Sequence, residues 1–124
     1  MARILIVDDD PDVVEAARLY LEKEGHEIET AGNREEGMQR IAEVKPDLLV
    51  LDIMMDEPDD GITMAQDLRR AGFDKPILMM SNISKASGLS YDKDDAVTPV
   101  DDFVEKPVAG TVLVEKVNAL LENR

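Results

Sequence analysis

Residues 4–11 read ILIVDDDP, a run of four apolar residues that ends abruptly in three acids and a proline. An apolar run this short, without alternation, is typical of a strand that is buried on both faces. Asp10 is a good helix N-cap, and Pro11 suits the first helical turn. The stretch therefore predicts a buried strand that passes directly into a helix, with Asp8 and Asp9 at the junction.

Strand and helix signals alternate in the same way along the rest of the chain. Apolar runs at Leu48–Leu51 and Pro76–Met80 predict further buried strands, and His26–Ala31 and Phe103–Glu105 give weaker strand signals. Helix signals separate these strands after Asp10, from Asn33 to Lys45, at Ile62–Ala71, weakly within 82–100, and at Thr111–Leu121. This alternation predicts a parallel sheet with helices on both faces, wound right-handed.

Composition restricts the class of protein. The 124 residues fit one domain, and 28 acids against 14 lysines and arginines give a formal charge of −14. So acidic a chain repels phosphate backbones and anionic lipids, and we expect no direct binding to nucleic acid or membrane. The absence of cysteine excludes disulfides and thiol chemistry. The first apolar run is too short for a signal peptide or a membrane span, and we expect a cytoplasmic protein.

The ends of the predicted strands carry the candidate functional groups. An open α/β sheet binds ligands beyond the carboxyl ends of its strands. The residues that follow those ends are Asp8, Asp9 and Asp10, then Asp52, Ser81 and Lys106. Like charges packed together are unfavourable unless a cation neutralises them, and an all-oxygen cluster with open positions suits Mg²⁺. One carboxylate could then attack phosphorus and form an acyl phosphate, with the lysine and the hydroxyl stabilising the transferred group.

These segments resemble the receiver domain of two-component response regulators. The matching stretches are ILIVDDDP at 4–11, DLLVLDIMM at 47–55, PILMMS at 76–81 and DDFVEKP at 101–107, in order and at strand ends. The resemblance implies a single receiver domain over 1–124. Its fold would be a doubly wound, flavodoxin-like sheet of five parallel strands in the order 2-1-3-4-5.

The resemblance also implies which residues bind the metal. Asp9 would be the direct Mg²⁺ ligand, and Asp8 would act mainly through water. Asp52 and the backbone carbonyl of Met54 would add further oxygen ligands.

The phosphoryl group would be handled by four residues. Asp52 would be the phospho-acceptor and Lys106 the phosphate-binding lysine. Ser81 would be the switch hydroxyl and Phe103 the switch aromatic.

The expected partner is a sensor histidine kinase or a phosphotransfer protein, which supplies the phosphoryl group from a phosphohistidine. We expect Mg²⁺-dependent self-phosphorylation and self-dephosphorylation but no other enzymatic activity. Phosphorylation would change how the face formed by the fourth helix, the fifth strand and the last helix binds a downstream protein. We expect a stand-alone domain that acts by protein contact, as a monomer or a weak phosphorylation-dependent dimer.

Two alternatives remain open. Asp8 and Asp10 after a strand fit the first motif of a haloacid-dehalogenase-like phosphatase, although that hypothesis leaves Asp52 without a role. A pseudo-receiver that binds partners without phosphorylation is the other alternative. Its support is the loop at 56–60, which is one residue longer than in the family and has Asp56 where the family has proline.

Two other regions receive no role in the site. His26, the only histidine, lies in the polar turn GHEIE, and we expect it to be a solvated surface residue. The segment 82–100 mixes helix formers with glycine, serine and aspartate, and we expect low local stability there.

A slow loss of the phosphoryl group is the first testable prediction. Met54 and Ile83 are apolar at positions that influence this loss in the family that the chain resembles. Because an apolar side chain cannot orient an attacking water, acyl-phosphate decay should be slower in the native chain than in a Met54→Asn variant. Native decay at least as fast as that of the variant would refute the prediction.

Overall fold

The computed structural model describes residues 2–52, 60–81, 101–105 and 110–122, with only the backbone described at Asp60, Ser81, Phe103 and Glu105. The elements in chain order are β1 (Arg3–Val7), α1 (Pro11–Lys23), β2 (Glu27–Ala31), α2 (Arg34–Val44), β3 (Leu48–Asp52), α3 (Asp60–Arg70), β4 (Ile77–Ser81), β5 (Asp102–Glu105) and α4 (Gly110–Glu122). The predicted weak helix within 82–100 lies outside these residues.

The described strands form one parallel sheet of five strands in the order β2-β1-β3-β4-β5, which confirms the predicted fold. Val7 of β1 is aligned with Leu51 of β3, so Asp8 and Asp52 follow at the same level of the sheet. Asp52 is aligned with Met80 of β4, and β4 continues by one residue to Ser81. The carboxyl ends of β1, β3 and β4 therefore meet at one edge.

The core consists of two apolar layers, one on each face of the sheet. Alternate residues of the central strands point to opposite faces. One layer joins α2 and α3 to Leu5, Val7, Leu49, Leu51, Ile77 and Met79. The other joins α1 and α4 to Ile4, Ile6, Leu48, Val50, Leu78 and Met80. Because both faces are covered, the central strands read as unbroken apolar runs in the sequence.

The first two helices begin at the predicted caps. The Asp10 side chain accepts a hydrogen bond from Asp12 N at 2.9 Å, and Pro11 occupies the first turn of α1. At α2 the Asn33 side chain accepts a hydrogen bond from Glu36 N at 2.8 Å. These bonds satisfy backbone donors that the first turn of a helix leaves without partners.

The prediction for His26 was wrong. This side chain is partly buried, and its Nδ1 accepts a hydrogen bond from Ala2 N at 3.1 Å. Since Nδ1 accepts, Nε2 carries the proton and donates to Asn118 Oδ1 at 3.3 Å. The histidine thus joins the residue before β1 to α4, rather than lying free in solvent.

Arg69 and Asp101 connect α3 to the starts of β4 and β5. The Arg69 guanidinium donates to the carbonyls of Phe73 at 2.9 Å and Lys75 at 2.8 Å, and to Asp101 Oδ2 at 2.9 Å. Asp101 Oδ2 also accepts a hydrogen bond from Ile77 N at 2.8 Å. These bonds fix β5 beside β4 at the edge of the sheet opposite Asp52.

The close approach of α2 to the sheet generates the second prediction. A β-carbon on Gly37 would lie 2.9 Å from Met64 Cε and 3.1 Å from both γ-carbons of Val7. Gly37→Val adds two further methyl groups to this crowded contact, and should lower the free energy of unfolding by about 2 kcal/mol or more. Chemical denaturation measures the loss. Ala42→Val, at an exposed position of α2, is the matched control and should cost only about 0.5 kcal/mol of helix propensity. Equal losses in the two variants would contradict close packing at Gly37.

Candidate functional site

Three carboxylates meet where β1 and β3 end. Asp8 and Asp9 follow β1, and Asp52 is the last residue of β3. Each offers one carboxylate oxygen, and these three oxygens lie within 4.8 Å of one another. Asp8 and Asp52 are almost fully buried, at 2% and 3% exposure, whereas Asp9 is exposed. We call these three residues the acidic trio.

The backbone around Asp8 holds its carboxylate in place. Asp8 N donates to Ala31 O at 3.1 Å, which extends the contact between β1 and β2 by one residue. Asp8 Oδ1 accepts a hydrogen bond from Asp10 N at 2.9 Å. The amino end of α1, where the helix dipole is positive, follows immediately and favours negative charge at this point. The turn from strand to helix thus orients the first member of the trio.

Asp10 is separate from the trio, although the sequence places three consecutive acids here. Its side chain accepts the hydrogen bond from Asp12 N and caps α1. Among the described residues, the cluster capable of holding a metal contains Asp8, Asp9 and Asp52, without Asp10. The structure therefore places Asp10 at the cap of α1, and Asp8 and Asp9 beside Asp52.

The ligand atoms of the acidic trio suit a hard divalent cation. All three are carboxylate oxygens, the ligand type that Mg²⁺ and Ca²⁺ prefer. Because Asp9 faces solvent, a cation held there could keep several of its waters, as Mg²⁺ usually does. A dication would also neutralise the mutual repulsion of the trio.

The remaining predicted residues are described less fully. Met54 and Lys106 lie outside the described residues. Ser81 and Phe103 are placed by backbone only, in β4 and β5. Ser81 is aligned with Glu105, so β4 and β5 end at the same edge of the sheet as Asp52. The roles of these four residues stay predictions.

This sheet, with carboxylates clustered at the ends of its first and third strands, defines a receiver-type α/β domain. The chain belongs to the response regulator receiver domain family, whose profile matches residues 4–118. Its function is therefore that of a receiver in two-component signalling, as predicted. The family match does not favour the haloacid-dehalogenase-like alternative.

Known relatives support the assignment. The response regulator MprA from Mycobacterium leprae is 37% identical over 119 residues, covering 96% of this chain and 50% of the relative. The structure of the response regulator protein TrrA from Thermotoga maritima, in complex with Mg(2+)-BeF, superposes with a TM-score of 0.80 at 33% identity, covering 97% of this chain and 99% of that one. The BeF3-activated N-terminal receiver domain of RstA from Klebsiella pneumoniae gives a TM-score of 0.78 at 28% identity, covering 96% and 97%.

The relatives differ in length. The chain spans about half the length of the curated relatives that it matches, such as MprA. The predictions of a stand-alone protein and of one domain over 1–124 therefore stay predictions. Within the described ranges, none of the helices has the length and apolar character needed to cross a membrane.

The crowding of negative charge in the trio generates the third prediction. In Asp8→Asn the side-chain oxygen can still accept the bond from Asp10 N, whereas repulsion by Asp9 and Asp52 is removed. At low ionic strength without divalent cations, the free energy of unfolding should rise by about 1–2 kcal/mol in a denaturant titration.

The control is Asp12→Asn, which removes an exposed acid in the first turn of α1, outside the trio. This variant should show no gain, because an acid at a helix N-terminus is itself favourable. If Asp8→Asn proved less stable than the native chain, the local bonds of the Asp8 carboxylate would outweigh repulsion within the trio.

Proposed function

We propose that Asp52 accepts a phosphoryl group from a phosphohistidine on a sensor histidine kinase or phosphotransfer protein. The observation that carries this proposal is the acidic trio, in which the buried Asp52 lies within 4.8 Å of the two acids that follow β1. An Asp52 oxygen attacks phosphorus, and the P–O bond forms as the P–N bond breaks. The bonding electrons then return to the imidazole of the partner, and an acyl phosphate remains on Asp52.

The chain's oxygen ligands suit Mg²⁺ at this site. Asp9 would hold the ion directly, Asp8 would act mainly through water, and Asp52 and the Met54 carbonyl would complete the set. When bound, Mg²⁺ neutralises negative charge on the carboxylates and on the transferred group. The structure of TrrA in complex with Mg(2+)-BeF, at 33% identity, supports extending this chemistry to the present chain.

The residues at the ends of β4 and β5 would respond to the phosphoryl group. Lys106 would neutralise one of its oxygens, and the Ser81 hydroxyl would donate a hydrogen bond to it. Phe103 would move together with Ser81, and the adjacent surface would change its affinity for a downstream protein. The alignment of Ser81 with Glu105 supports this proposal, because it brings both chain segments to the edge where Asp52 lies.

Other properties follow from the same proposal. Apart from Mg²⁺-dependent self-phosphorylation and self-dephosphorylation, we propose no enzymatic activity. Output would occur by protein contact, from a monomer or a weak phosphorylation-dependent dimer. The charge of −14 disfavours direct contact of this chain with nucleic acid or an anionic membrane.

The role of Asp52 generates the fourth prediction. Incubation with acetyl phosphate and Mg²⁺ should add one phosphoryl group to the native chain, as detected by intact-protein mass spectrometry. Asp52→Ala should abolish the addition, because it removes the nucleophile. Asp10→Ala is the matched control and should keep it, since Asp10 caps α1. Labelling that survives Asp52→Ala but is lost in Asp8→Ala would place the nucleophile at Asp8, as in the phosphatase alternative.

A ligand that mimics the phosphoryl group separates a working receiver from a pseudo-receiver. Beryllofluoride with Mg²⁺ should bind the native chain and give a bound signal in ¹⁹F NMR spectra. Absence of binding at millimolar concentrations would favour a phosphorylation-independent adaptor.

A further inference from the structure

Gly37 of α2 is buried against the last residue of β1. A β-carbon on Gly37 would lie 3.1 Å from both γ-carbons of Val7, and 2.9 Å from Met64 Cε of α3. Two carbon atoms in contact attract each other best at about 3.5–4.0 Å, so these distances are too short for ordinary packing. The described structure therefore leaves no room for a side chain at position 37.

The backbone at Gly37 does not explain the glycine. Among the described glycines, the positive φ angles that favour this residue occur at Gly25 and Gly72, and Gly37 has none. Glycine is also a poorer helix former than alanine. The close approach of α2 to Val7 and Met64 is therefore the feature of the described structure that requires glycine at this position.

Val7 and Met64 would respond differently to a larger side chain at position 37. The Met64 atom in the contact ends an unbranched side chain with three rotatable bonds, so it can move aside. Val7 is branched at its β-carbon, and both of its γ-carbons face Gly37 at the same distance. Each of the other two staggered rotamers still leaves one γ-carbon in the contact. Crowding at Gly37 must therefore be relieved by a shift of the Val7 backbone.

The backbone of Val7 leads directly into the acidic trio. Asp8 is the next residue, and its amide donates to Ala31 O at 3.1 Å. Val7 is aligned with Leu51, the residue before Asp52. A displacement of Val7 away from α2 therefore moves Asp8 relative to Asp52, and these are the two buried members of the trio.

We infer that Gly37 is a positioning residue, whose missing side chain lets β1 hold Asp8 at the separation from Asp52 and Asp9 that Mg²⁺ requires. This inference rests on the proposed binding of Mg²⁺ by the acidic trio. Mg²⁺ demands nearly octahedral ligands at about 2.0–2.1 Å, so a small change in the spacing of the carboxylates weakens its binding.

The test compares the Mg²⁺ affinity of the native chain with that of Gly37→Ala. Each chain is titrated with Mg²⁺ alone, and the amide resonances of residues 8–12 are followed in ¹H–¹⁵N NMR spectra. The titrations are run at a temperature where thermal unfolding shows each variant to be fully folded. The affinity of Gly37→Ala should fall about fivefold, which is less than the roughly 10- to 100-fold loss caused by removing a group that bonds to a metal ligand.

Gly32→Ala is the matched control. It makes the same change at an exposed glycine that directly follows β2. The nearest atom to its added β-carbon would be Glu36 Oε1 at 3.6 Å, which is an ordinary contact distance. This variant should bind Mg²⁺ within twofold of the native affinity. A loss as large as that of Gly37→Ala would show that crowding against Val7 is not the cause.

A second background tests the route through Val7. Val7→Ala removes both γ-carbons, so in that background Gly37→Ala should cause no further loss of Mg²⁺ affinity. Should Val7→Ala fail to fold, the spectra of Gly37→Ala decide the same question. Among residues of β1 and the turn after it, the amides of Val7 and Asp8 should then show the largest shift changes relative to the native chain.

The remaining outcomes separate a failure of this inference from a failure of the proposed function. Unchanged or tighter Mg²⁺ binding by Gly37→Ala would overturn the inference, as would an equal loss with and without the Val7 γ-carbons. If Asp9→Ala binds Mg²⁺ as the native chain does, the proposed metal site itself is wrong. If Asp9→Ala binds weakly while Gly37→Ala binds normally, only the positioning role of Gly37 fails.

Discussion

The alignment of Val7 with Leu51 between β1 and β3 is the constraint on which the site depends. Because the strands run parallel, the next residue of each, Asp8 and Asp52, reaches the same edge of the sheet. A slip of one residue would separate the two carboxylates. The apolar runs alone do not prevent such a slip, because both faces of these strands are buried and one apolar residue would replace another. The polar residues at the strand ends must therefore set the register.

Polar groups at the starts of the strands set this register. Arg3 N donates to Asp47 Oδ2 at 2.9 Å, and Asp47 N donates to Arg3 O at 2.7 Å, so the starts of β1 and β3 are paired. Arg69 and Asp101 join the starts of β4 and β5 in a comparable way. With their starts fixed and their terminal acids kept out of the two apolar layers, β1 and β3 have one favourable register. The acids of the site thus help to specify the fold that brings them together.

The sequence predicts those parts of the molecule that depend on residues close together along the chain. The helix caps at Asp10 and Asn33 are confirmed because a cap bonds to backbone only two or three residues away. The central strands are confirmed because burial on both faces leaves a continuous apolar run. His26 was predicted wrongly because one of its partners, Asn118, lies 92 residues along the chain.

The proposed metal ligands and the proposed phosphoryl-binding residues depend on different pairs of strands. The acidic trio is brought together by the register of β1 and β3, which the ends of those strands specify. The residues proposed to bind the phosphoryl group depend also on the register of β4 and β5, which aligns Ser81 with Glu105. A change in the pairing of β4 with β5 would therefore affect the proposed phosphoryl contacts and leave the trio that suits a cation in place.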